Sequence, residues 1–163
     1  MVRRKSRLDK HELEYMTRQT EISLKYHPKL SELYNILTGV GGKYIYLDAT
    51  DSAYWMDILL RRGKFIYPVR ISHEMSRKCK FEPFLCYQNL LAVYPPKHLQ
   101  RKASVYIGYS LMEIEDCWIQ HTWMYDGKTV YETTPIRSLQ YFGVSVEPVE
   151  VAMWLEEYRW RLP

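Results

Sequence analysis

Three side chains in this 163-residue chain are of the types that acyl chemistry needs: the Cys86 thiol, the His121 imidazole and the Glu132 carboxylate. A cysteine attacks as its thiolate, and a nearby imidazole can take the thiol proton and later hand it to a leaving group. A carboxylate hydrogen-bonded to that imidazole fixes its tautomer and raises its basicity. Cys86 is therefore the candidate nucleophile, His121 the general acid/base and Glu132 the orienting carboxylate. Trp123 follows the histidine by two residues and could wall the site against water. Asn89 and Gln120, close in sequence to Cys86 and His121, join Trp123 as candidate substrate-binding residues. Chemistry of this kind requires no metal and no organic cofactor.

Two elements must position these groups. Asp126-Gly127 predicts a two-residue type I′ hairpin turn, because both central residues must tolerate positive φ. The flanks are β-branched and aromatic, which suits a pleated, half-buried surface. Counting outward pairs Tyr125 with Lys128, Met124 with Thr129, Trp123 with Val130, Thr122 with Tyr131 and His121 with Glu132. Alternation then puts His121, Trp123, Tyr125, Val130 and Glu132 on one face. Cys86 falls in the first turn of a helix expected over 84–94, begun near Pro83 and stopped by Pro95-Pro96. The helix dipole and unpaired N–H groups there favour a thiolate and could stabilise an oxyanion.

The order helix-Cys, strand, His-x-Trp strand, turn, then a strand ending in acid-x-Thr resembles the papain-like and transglutaminase-like cysteine fold. The transglutaminase-like core has a Cys beginning a helix, a His-Ala-Trp-type strand and an Asp-Pro-Thr-type strand end. Here those elements read Cys86-Tyr87-Gln88-Asn89, His121-Thr122-Trp123 and Glu132-Thr133-Thr134-Pro135. The resemblance spans roughly residues 84–146. The chain is also similar to small bacterial and phage proteins with a Tyr-Phe-Gly segment after the acidic strand, here Tyr141-Phe142-Gly143. The resemblance implies a Cys-His-acid triad and a thioester intermediate in acyl chemistry on an amide, peptide or thioester. The chain departs from the pattern at Glu132 (usually Asp), at Thr133 (usually Pro) and at Lys80, where papain-like peptidases place a glutamine.

The remaining elements follow from periodicity. Helices are expected over 8–26, 28–37, 53–62 and 148–161. In the first of these, Leu8, Glu12, Tyr15 and Met16 recur at helical spacing, as do Gln19, Ile22 and Tyr26; in the second, Leu30, Leu33, Tyr34 and Leu37 do. Val151, Trp154, Leu155 and Tyr158 form the stripe of the last. Strands are expected over 43–47, over 64–71 with Phe65, Tyr67 and Val69 on one face, and over 104–112 with Val105, Ile107, Tyr109 and Leu111 together. Residues 72–83 read as loop, and 140–146 as a loop and short strand. The fold class is α+β: an antiparallel sheet with helices packed on it. Residues 1–163 form one domain, with 1–72 a helical and strand part and 73–163 the Cys-His-acid core.

Composition bounds the function. Hydrophobic residues make up 47% of the chain, which excludes a disordered polymer. Three cysteines do not describe a disulfide framework and point to a reducing, cytoplasmic setting. No apolar h-region follows the N-terminal charges, and no apolar run reaches membrane-spanning length. Gly39, Gly41 and Gly42 match no phosphate-loop fingerprint and read as a helix stop. Asp48, Asp51 and Ser52 read as caps. His73, Cys79 and Cys86 fit no standard zinc spacing. The mild net charge of +4, much of it from Arg3, Arg4, Lys5 and Arg7, reads first as a solvated basic tail and second as a contact for nucleic acid or another anionic partner, which opens a second class of function. In that class the chain is a non-catalytic interaction protein, a phage or plasmid inhibitor or a nucleic-acid-binding module, on the same scaffold. The partners are a protein or small amide substrate in the first class and a protein or nucleic acid in the second; a membrane is not expected.

Overall fold

The computed structural model describes residues 9–26, 28–46, 53–78, 86, 89–90, 102–113, 116–147 and 149–150. The basic N-terminal residues, the caps at Asp48, Asp51 and Ser52, Cys79, Lys80, Pro83 and the C-terminal stripe lie outside them. Asp9 and Glu12 form a reciprocal cap: Glu12 N–H donates to Asp9 Oδ1 at 2.9 Å, and Asp9 N–H donates to Glu12 Oε2 at 2.8 Å. Helix α1 (Lys10–Tyr26) starts there, and α2 (Pro28–Thr38) follows. Strand β1 (Tyr44–Tyr46), helix α3 (Ala53–Arg62), strands β2 (Lys64–Ile66) and β3 (Arg70–Ser72) and helix α4 (Glu74–Lys78) come next. Then come β4 (Ser104–Met112), β5 (Cys117–Tyr125), β6 (Thr129–Glu132) and β7 (Ser138–Val146).

The strands form one sheet in the order β2-β7-β4-β5-β6-β3, with β1 beside β5. The fold is mixed α+β and the sheet mostly antiparallel. Two pairings are parallel, β1 with β5 and β3 with β6. Contacts cluster into two units, with β4, β5 and β7 divided between them. The first holds residues 1–66, 108–120 and 137–143. Its centre is the wholly buried Leu30, Leu33 and Leu37 of α2, with Ile45, Trp118 and Phe142. Phe65 meets the rings of Trp118 and Phe142 at 6.3 and 4.9 Å. The glycine turn after α2 serves this packing. A Cβ on Gly42 would lie 2.8 Å from both Leu111 and Trp118, and Trp118 Nε1 donates to Gly41 O at 2.8 Å.

Four sequence expectations change here. Tyr15, Ile22 and Tyr26 of α1 are exposed; the face turned inward carries Met16, Gln19 and the buried Thr20. Thr20 stitches α1 to the backbone of β1, its hydroxyl lying 3.2 Å from Ile45 O and 3.3 Å from Ile45 N. A small polar residue can come that close to a strand, and a tyrosine cannot. The single strand expected over 64–71 is two, β2 and β3, separated at Pro68, which has no N–H for a ladder. Tyr67 and Val69 beside it are exposed. Residues 74–78, expected as loop, form α4, and Ser76 Oγ donates to His73 O at 3.0 Å in its first turn. The loop and short strand expected over 140–146 is the nine-residue β7.

The second unit holds residues 67–107, 121–136 and 144–163. It contains β3, α4, β6, the outer part of the β5–β6 hairpin and the helical residues Cys86, Asn89 and Leu90. Among the described residues, no helix is long and apolar enough to cross a membrane.

Candidate active site

The hairpin forms, but its turn lies one residue later than expected. Gly127 adopts φ +94, whereas Asp126 does not take the positive φ that a type I′ turn centred on it would require. The reason is local. Asp126 Oδ1 accepts the N–H groups of Lys128 and Thr129 at 2.9 and 2.7 Å, so the aspartate acts as the first corner rather than a central residue. The bonds from Thr129, Tyr131 and Lys128 hold its carboxyl below the usual range. Moving the pivot by one residue moves the register by two. Trp123 pairs with Glu132, Met124 with Tyr131 and Tyr125 with Val130. A shift of two preserves every face, so His121, Trp123 and Glu132 still project together.

His121 and Glu132 are therefore diagonal neighbours rather than opposed ones. Diagonal positions across antiparallel strands are about 7–8 Å apart, within reach of long side chains. Glutamate has the extra methylene for that span. His121 Nε2 lies 2.8 Å from Glu132 Oε2, with the two side chains 1% and 0% exposed. Burial by itself would push the imidazole toward its neutral form. The charge of Glu132, then hydrogen bonding to Cys86 and to Glu132, outweigh it and raise the pKa from 6.5 to about 10. The net effect favours the protonated ring beside Glu132.

Cys86 supplies the third group. It is helical, 5% exposed, and its thiol lies in hydrogen-bonding reach of the His121 ring. Where the Cys86 helix begins lies outside the described residues. Asn89, three residues after Cys86, is helical and buried. Gln120 precedes His121 on β5, and alternation sends it to the other face of that strand. The structure thus brings Cys86, His121 and Glu132 together, with Trp123 beside them, and does not align Gln120 with the ring. Among the described residues, no three His, Cys, Asp or Glu side chains converge as a metal site.

No family model, curated protein or solved structure matches the chain.

Two further residues complete the surroundings. Trp123, wholly buried, stacks on His121 at 5.9 Å between centroids and 23° between planes. Tyr106 on β4 stacks on Trp123 in turn, at 5.9 Å and 19°. Its phenol pKa is raised by burial and by Tyr125, against a lowering hydrogen bond with Ser145. An aromatic ladder thus covers the imidazole on its strand face. Thr133, also wholly buried, aims its hydroxyl at two carbonyls, Thr122 O at 3.1 Å and Cys86 O at 3.4 Å. Sequence reasoning missed both. Tyr106 sits between Val105 and Ile107, and the apolar alternation of that strand draws attention to the opposite face. Thr133 carried one signal, its place next to the acid.

Proposed function

We propose that this protein is a cysteine-dependent hydrolase or acyltransferase of papain-like or transglutaminase-like type, working in a reducing, cytoplasmic setting. Cys86, as thiolate, attacks the carbonyl carbon of an amide, peptide or thioester. The carbonyl π pair moves onto oxygen, giving a tetrahedral intermediate. His121, protonated and held by Glu132, gives its proton to the leaving nitrogen or sulfur as that bond breaks, and a Cys86 thioester remains. The neutral imidazole then removes a proton from water or an amine, which attacks the thioester and releases Cys86. The observation that supports this reading is the buried line of contacts from the Cys86 thiol through the His121 ring to Glu132 Oε2 at 2.8 Å.

Iodoacetamide labelling near neutral pH, mapped by mass spectrometry, tests it. Cys86 is expected to react at least about tenfold faster than Cys117, because only it shares an imidazole. Equal rates at all three cysteines, or a wild-type rate in His121→Asn, would sink the proposal.

A second reading rests on burial. With all three groups almost fully enclosed, they serve equally as the polar centre of a non-catalytic interaction scaffold. That reading expects Cys86→Ala to leave partner or nucleic-acid binding unchanged, with steep salt dependence if the partner is a nucleic acid.

A further inference from the structure

We propose that Thr133 is a positioning residue that holds the Cys86 backbone against the strand carrying His121. The inference rests on the acyl-transfer reading above. Thr133 immediately follows Glu132, Thr122 immediately follows His121, and the third partner is Cys86 itself. One hydroxyl thus joins the three segments that carry acid, base and nucleophile, at each residue or one residue from it. The segments are far apart in the chain, with separations of 47 and 11 residues. A hydroxyl has a single proton, so it is shared between the two carbonyls or alternates between them. Either way it restrains the distance between the Cys86 carbonyl and β5. Thiol–imidazole geometry is sensitive to such restraint, since a misplacement of about 1 Å can cost roughly a hundredfold in rate. The Thr133 hydroxyl donates to main-chain carbonyls of the Cys86 and His121 segments, so it acts through the backbone.

The experiment follows the iodoacetamide rate at Cys86 against pH in the full chain, for wild type, Thr133→Val, Thr133→Ala, Thr133→Ser and His121→Asn. Valine keeps the shape and removes the donor; serine keeps the donor. Thr133→Val is expected to fold and to lose roughly tenfold to a hundredfold of the rate near neutral pH. Its rate should approach wild type at alkaline pH, where any thiol ionises. Thr133→Ser is expected to keep the wild-type profile. A wild-type profile in Thr133→Val overturns the proposal. So does failure of both Thr133→Val and Thr133→Ala to fold, which makes the hydroxyl a general structural bond. If His121→Asn matches wild type, the acyl-transfer reading itself has failed and this proposal falls with it. The His121 variant thereby separates the two failures.

Discussion

His121 concentrates the chemical argument because its charge state is decided by two partners at once. Glu132 holds Nε2 at 2.8 Å, and the Cys86 thiol also raises the pKa of the ring. Replacing Glu132 with Ala removes one partner of a buried polar pair and leaves the ring unsatisfied, which is expected to cost about 3–5 kcal/mol in chemical denaturation. Replacing His121 with Asn removes the acid/base group, and any acyl transfer should fall at least about a hundredfold. The sequence carried these three residue types and their order. It did not carry the diagonal geometry. Expected opposite each other, His121 and Glu132 sit two residues out of register and meet only because glutamate is long enough.

At the scale of elements, the hairpin shows how a correct local signal yields a shifted structure. Asp126-Gly127 does mark the turn, but the aspartate side chain binds two N–H groups and moves the pivot to Gly127-Lys128. Gly127 alone carries the left-handed conformation, and a Cβ there would meet nothing within 4 Å. Gly127→Ala should therefore cost about 1–2 kcal/mol through backbone strain alone, readable as a lower thermal midpoint with unchanged labelling at Cys86. A much larger loss would mean that the tip makes contacts the structure does not show. The same limit applied at β2 and β3. Alternation over 64–71 is equally compatible with one strand or two, and Pro68 was the only warning of a break.

For the whole molecule, stability should depend on pH through His121. Its pKa is raised on folding from the usual 6.5 to about 10, chiefly by Glu132 against the effect of burial, so the folded state holds the proton more tightly. The contribution is fully present below about pH 6.5 and is lost as pH rises through about 10. The thermal midpoint should fall across that window, and His121→Gln should flatten the fall. An unchanged slope in the variant would show that other groups govern it. Leu33→Ala, in the buried centre of the first unit, should cost about 2–5 kcal/mol. Tyr15→Ala on exposed α1 should stay within about 0.5 kcal/mol. What the chain alone determined was local: the spans of α1, α2 and α3 to within a residue or two, the glycine stops, and the period-two alternation that keeps His121, Trp123 and Glu132 on one face through a register shift of two. Only the tertiary structure decided which face of α1 is covered, how β5 and β6 align, and that Cys86 O meets the Thr133 hydroxyl across 47 residues. Local preferences arise from neighbours a few residues away, whereas those three outcomes depend on satisfying buried polar groups and filling space across the fold.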